Sequence, residues 1–217
     1  MSTGDWNYDE TLRNRIAANL AGYARREAPV AGLKPAAVSV VLAPTGAEGR
    51  TGLILTRRAP RMSRHAGQYA LPGGRVDPGE TALAAARREL HEELGVETEP
   101  GQVLGALDDL PTRSGYRVTP FVVWLGAAAT IRPSPDEIAR VFRIPLADLF
   151  AGRGRGGNSE DATGAGDEAG VFSLYIPTLG HDLFAPTAAI LDHFREVSLM
   201  GRSTPAVHFG EPAFARR

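Results

Sequence analysis

The stretch from Gly74 to Val96, GRVDPGETALAAARRELHEELGV, limits what this chain can fold into more than any other part of it. Three carboxylates, Glu89, Glu92 and Glu93, fall within five residues and follow Arg88, soon after a Pro72-Gly73-Gly74 turn. Side chains three and four apart share a face of a helix. Glu89 and Glu93 therefore stack one turn apart, with Glu92 flanking them, while Leu83, Ala86, Leu90 and Leu94 take a neighbouring arc. The spacing predicts a helix from Thr81 to Leu94 with an apolar stripe for a core and an acidic stripe beside it, stopped by Gly95. Like charges at this spacing destabilise an isolated helix, and a bound cation would remove that cost. Carboxylate oxygens suit Mg2+ or Mn2+, and Mg2+ usually sits between a few carboxylates and substrate phosphates. Taken alone, the same charge run also suits a solvated, salt-bridged helix face.

The remaining chain supplies elements for a core around that helix. Leu12, Ile16, Leu20 and Tyr23 recur at helical steps and predict an amphipathic helix over 8–26. Apolar, β-branched runs predict strands at 36–42, 52–56, 68–71, 103–108, 118–125 and 140–144, then a short helix at 145–150 and a strand at 171–176. A last helix is expected over 186–200, with Ala188, Leu191 and Phe194 facing inward, followed by an irregular tail. The segment 152–170 is rich in glycine and small polar residues and reads as a flexible insert. At 217 residues and 43% hydrophobic composition, the expectation is one domain over 1–217, with a core at 34–150 and C-terminal elements at 171–217. The order of elements predicts an α+β fold with a mixed sheet between helices.

Composition also excludes functions. A net charge of −1 argues against an electrostatic nucleic-acid or membrane-surface binder. Without cysteine there is no disulfide, thiolate metal site or cysteine nucleophile. A polar N-terminus and the lack of any run of about eighteen apolar residues point to a cytoplasmic protein. The sequence leaves oligomeric state open, a homodimer included.

Gly74, then Glu80 after five residues, then Arg88-Glu89-Leu90-x-Glu92-Glu93-x-Gly95-Val96 after seven more, resembles the complete Nudix box. The resemblance implies an α/β/α sandwich in which a loop-helix-loop holds divalent metal, Mg2+ or Mn2+. Glu89, Glu92 and Glu93 would be its metal-site carboxylates, and the backbone carbonyl of Gly73 an additional ligand. It also implies that Arg88 orients Glu89, that Glu80 holds the loop against the helix, and that Gly74 and Gly95 are structural. Family members differ in their general base and some draw it from a later loop; Asp136 and Glu137 are the candidates here, Glu137 first.

Three further pieces resemble the coenzyme A pyrophosphatases within that family. They are Leu55-Thr56-x-Arg58-Ala59 with His65-Ala66-Gly67-Gln68 and Pro72-Gly73-Gly74; Gly115-Tyr116-Arg117-Val118-Thr119-Pro120; and Asp136-Glu137-Ile138 with Val141-Phe142-Arg143-Ile144-Pro145-Leu146. Ser63 stands where the signature has arginine, and Leu71 where it has phenylalanine. The substrate-binding residues this implies are Arg58, Arg61, Arg64 and His65, a basic cluster suited to a diphosphate carrying a further 3′-phosphate. The expected substrate is coenzyme A or a thioester of it. The rivals are another nucleoside diphosphate derivative, such as ADP-ribose, NADH or a damaged nucleotide, and a non-catalytic nucleotide-binding module on the same fold.

Overall fold

A computed structural model describes residues 6–29, 32–46, 48–60, 67–126, 129–151 and 172–206. The elements in chain order are α1 (Glu10–Ala21), β1 (Lys34–Thr45), β2 (Arg50–Arg58), β3 (Tyr69–Ala70), β4 (Gly73–Arg75) and α2 (Ala82–Leu94). They continue with β5 (Val103–Ala106), β6 (Leu110–Pro111), β7 (Tyr116–Trp124), β8 (Ile138–Pro145), β9 (Ser173–Ile176), β10 (His181–Phe184) and α3 (Thr187–Phe194). Eight strands form one sheet with the order β3-β2-β1-β7-β5; β4 pairs with β1, β6 with β7 and β8 with β2. β1 and β7 run parallel while the other pairs are antiparallel, so the sheet is mixed.

β1 shows how the sheet becomes the middle layer. Its side chains alternate between faces. Val40 and Leu42 join the cluster that holds Leu12, Ile16 and Leu20 of α1 and Leu191 and Phe194 of α3. Val41 and Ala43 meet Leu90 and Leu94 of α2 on the other face, and Ala37 meets Ala85 and Ala86. The result is the expected α+β architecture, a mixed sheet flanked by helices.

Several boundaries differ from the sequence reading, each for a local reason. α1 begins at Glu10 rather than residue 8, because the Asp9 carboxylate caps it by accepting from the Leu12 N–H at 2.9 Å. Tyr8 is instead stacked on Trp124, with centroids 4.3 Å apart. The helix ends at Ala21 rather than 26, because the backbone N–H groups of Arg26 and Ala28 are drawn off to Asp108 and Asp109. Those aspartates follow β5, which stops at Ala106. The expected helix at 145–150 is a 3-10 turn over Leu146–Phe150, and α3 passes into a π turn over Arg195–Leu199.

Three strands were not foreseen: β4, β6 and β10. The Gly73-Gly74 segment, expected as a turn, is strand β4 on β1; two glycines carry no side-chain periodicity from which to read a strand. The insert at 152–170 lies outside the described residues.

Candidate active site

The functional geometry begins with how α2 is seated. Thr81 caps it, its hydroxyl oxygen accepting from the Ala84 N–H at 3.1 Å. Gly95 ends it at φ +63°, a conformation that favours glycine, with its N–H bonded to the His91 carbonyl. The buried residues of α2 are Ala85, Ala86, Leu90, Glu93 and Leu94, whereas Leu83 is exposed. This corrects the expected wheel: Leu83 lies outside the buried arc, and Glu93 lies in it rather than on a stripe beside it.

A single guanidinium gathers the other carboxylates. Arg88 donates from Nε and Nη2 to both oxygens of Glu80, each at 3.1 Å. From Nη1 it donates to Glu89 at 2.8 Å and to Glu92 at 2.9 Å, and from Nη2 also to the Arg75 carbonyl at 2.9 Å. Glu80 accepts from the Asp77 N–H in turn, which ties the loop after β4 to the helix. The hydrogen bonds from Arg88 hold the Glu80 carboxyl below the usual carboxylate range and keep the guanidinium itself firmly charged.

Glu89 and Glu93 face the glycine strand. A Cβ on Gly73 would collide with the Ala37 carbonyl, so no side chain fits there, and one on Gly74 would displace the Glu89 carboxylate from its place. The Gly73 N–H donates to Glu93 Oε2 at 3.1 Å. Arg58, near the end of β2, brings Nη1 to 3.4 Å from Glu93 Oε1.

Burial pushes both acids up. For Glu89 the pairing with Arg88 opposes that rise. The Glu93 carboxyl, only 2% exposed, is raised to about 8; the Gly73 N–H and Arg58 offset part of the burial, while the charges of Glu89 and Glu137 add to the rise. Glu137 reaches this neighbourhood because its loop is laced to the end of α2. Arg132 N–H bonds the Leu94 carbonyl at 2.7 Å, Ser134 N–H bonds the Glu93 carbonyl at 2.9 Å, and the Glu137 carbonyl accepts from Ala59 N–H at 2.7 Å.

The structure thus brings together Gly73, Gly74, Glu80, Arg88, Glu89, Glu92, Glu93 and Arg58, with Glu137 close enough to act on Glu89 and Glu93 electrostatically. Arg61, Arg64 and His65 lie outside the described residues. Among the described residues, no three His, Asp or Glu side chains already converge as a metal-holding group: Arg88 stands between Glu89 and Glu92, and Arg58 beside Glu93. The donors nevertheless fit a hard divalent cation. They are all oxygens, and two of them, the buried Glu93 and the half-buried Glu89, are carboxylates whose mutual repulsion a cation would relieve.

Sequence reasoning missed the Gly73 N–H bond to Glu93 and the aim of Arg58. The second had a signal: Ile54, Thr56 and Arg58 share one face of β2 by alternation, and Ile54 packs with Leu90 and Leu94 of α2. Leu71, where the signature has phenylalanine, is a buried core residue.

Residues 33–161 match the family model described as NUDIX domain. The chain is 40% identical over 113 residues to the protein of Citrobacter koseri named "Uncharacterized Nudix hydrolase NudL", a match covering 52% of this chain and 59% of that protein. It is also 40% identical over 114 residues to the protein of the same name from Pectobacterium atrosepticum, with the same coverage of each chain. The match therefore spans about three-fifths of the length of these relatives. Among solved structures, a MutT/nudix family protein from Enterococcus faecalis superposes with a TM-score of 0.50 at 18% identity, covering 78% of this chain and 64% of that one, which is a likeness of fold. With the family model matching more than half of its length, this chain belongs to the Nudix family.

Proposed function

We propose that the chain is a divalent-metal-dependent hydrolase of the diphosphate linkage in a nucleoside diphosphate derivative, and that its substrate is coenzyme A or one of its thioesters. The observation that carries the hydrolase reading is the buried Glu93 carboxylate and the half-buried Glu89 carboxylate, both set against a glycine strand whose missing side chains make room for them. A diphosphate resists water because its anionic oxygens repel a nucleophile. Mg2+ or Mn2+, when bound, neutralises that charge and lowers the pKa of a water molecule.

Glu89, Glu92 and Glu93 supply oxygens for the cation, with the Gly73 carbonyl as a further donor. Arg88 fixes Glu89 and Glu92 from one guanidinium, and Glu80 fixes Arg88. Glu137, or one of the α2 carboxylates, takes the proton of the attacking water. The water oxygen bonds to phosphorus, the bridging P–O bond breaks, and two phosphomonoesters leave. From coenzyme A these are 4′-phosphopantetheine, or its acyl form, and 3′,5′-ADP.

The coenzyme A assignment is supported by the segments around Arg58–Gly74, Gly115–Pro120 and Asp136–Leu146 and by the basic residues Arg61, Arg64 and His65. Ser63, in place of arginine, favours the second reading, a pyrophosphatase of ADP-ribose, NADH or another nucleotide. An assay with Mg2+ and with Mn2+ over coenzyme A, ADP-ribose, NADH and nucleoside triphosphates decides between them. Highest kcat/KM on coenzyme A, with release of 3′,5′-ADP, is expected. Preference for another substrate would replace the assignment, and no turnover on any would favour a binding module.

A further inference from the structure

Arg58 belongs by sequence to the basic cluster expected to grip substrate, yet its side chain faces α2 and meets Glu93. Glu93 is almost wholly buried, and an ionised carboxylate so placed needs compensation. Only two groups provide it among the described residues: the Gly73 N–H at 3.1 Å and Arg58 Nη1 at 3.4 Å. Arg88 is spent on Glu80, Glu89 and Glu92. Glu89 and Glu137 add negative charge to the neighbourhood, which raises the demand for a cation there.

The backbone around Arg58 is well held. Its N–H bonds the Gln68 carbonyl at 3.0 Å, the next N–H bonds the Glu137 carbonyl at 2.7 Å, and residues 52–57 lie in register on β8. The guanidinium thus projects from a fixed strand end, 21% exposed, with its Nε buried and without a hydrogen-bond partner among the described residues.

We infer that Arg58 is a positioning residue, holding the Glu93 carboxylate against the Gly73 strand through their ion pair, and does not bind substrate. Its contact is longer than the 2.7–2.9 Å of a tight charge-assisted bond. Arg58 therefore acts chiefly as a charge at a set distance, and lysine can keep part of its effect. The kinetic part of the inference rests on the hydrolase reading; the stability part does not.

The test is a double-mutant cycle of Arg58→Met with Glu93→Gln, with Arg58→Lys alongside. In metal-free protein, Arg58→Met is expected to lower Tm by roughly 3–6 °C. In the Glu93→Gln background the same change should move Tm by no more than about 1 °C. In the metal-loaded enzyme, on the best substrate of the panel, Arg58→Met should lower kcat at least tenfold with KM within about threefold of wild type. Arg58→Lys should recover at least threefold of that kcat. Equal Tm effects in both backgrounds would overturn the inference without touching the hydrolase reading. A rise in KM of tenfold or more with kcat retained would overturn it too, making Arg58 a substrate contact. Absence of turnover in wild type would overturn the hydrolase reading and leave the Tm cycle to decide.

Discussion

Two acidic sites inside this protein are equally dry and are treated in opposite ways. Asp109, its side chain 1% exposed, accepts from Arg25 at 2.6 Å, the Thr119 hydroxyl at 2.7 Å and the Ala28 N–H at 3.2 Å, with Arg117 at 3.8 Å. Its neighbour Asp108 accepts from the Tyr23 hydroxyl, the Arg26 N–H and the Ala206 N–H, with His193 at 3.8 Å. Together they fasten the chain after α1 and the segment after α3 to the end of β5. Glu93 has one N–H and one distant guanidinium, and its carboxyl is pushed up to about 8. A saturated buried carboxylate builds structure. One left short of partners, beside others of its kind, is poised for a cation or a proton.

The largest effect that can break this contrast is on catalysis. Glu93→Gln should reduce turnover roughly a thousandfold or more, since several kcal/mol of charge stabilisation are lost. The metal-free protein should be as stable as wild type or more so, because a repulsion is relieved. Steady-state kinetics and a thermal melt check both halves, and near-normal turnover at saturating metal would end the proposed role of Glu93.

Asp109→Ala should do the reverse. It strands Arg25 and Arg117 without their buried partner, at a cost of about 3–5 kcal/mol, and lowers Tm by on the order of 10 °C. The activity of the molecules that remain folded should stay within a few fold of wild type. A stable but inactive Asp109→Ala would place that network in the chemistry.

A third expectation concerns pH. With its pKa raised from the ordinary carboxylate range to about 8 in the folded state, Glu93 binds a proton there that the unfolded chain has released. Metal-free stability should therefore decline as pH rises from about 4.5 through 8. Glu89, also raised, acts in the same direction. Melts from pH 5 to 9 should show a shallower decline in Glu93→Gln; parallel curves would mean that Glu93 titrates normally. The smallest expected effect is at the start of α2. Thr81→Ala should cost about 1 kcal/mol, or roughly 2–4 °C in Tm, through the lost cap.

How much of this could be read from the sequence depended on whether a residue's partner was local. The acidic helix and its glycine stop were legible because their signals lie within one segment, whereas Thr81, read as the first helical residue, proves to be its cap. The mixed sheet followed from the order of apolar runs. What stayed hidden is held together across the chain. β4 was invisible because two glycines show no period, although it is their missing side chains that admit Glu89. The burial of Glu93 could not be told from a solvated face without knowing that α2 lies on β1 with that arc inward. The Asp108-Asp109 pair read as the end of a strand, because its partners lie as far away as Tyr23 and Ala206. Glu137 was a fair candidate from its motif, but the lacing of residues 132–134 onto α2 that brings it near is made by main-chain groups.

The most direct test of the contrast is a Mn2+ titration of metal-free protein, followed by electron paramagnetic resonance, for wild type, Glu89→Gln, Glu93→Gln and Asp109→Asn. The under-partnered carboxylates should prove to be the cation site: Glu89→Gln and Glu93→Gln each weaken Mn2+ binding tenfold or more, while folded Asp109→Asn binds as wild type does. Equal affinity in all four proteins, or loss only in Asp109→Asn, would contradict that account.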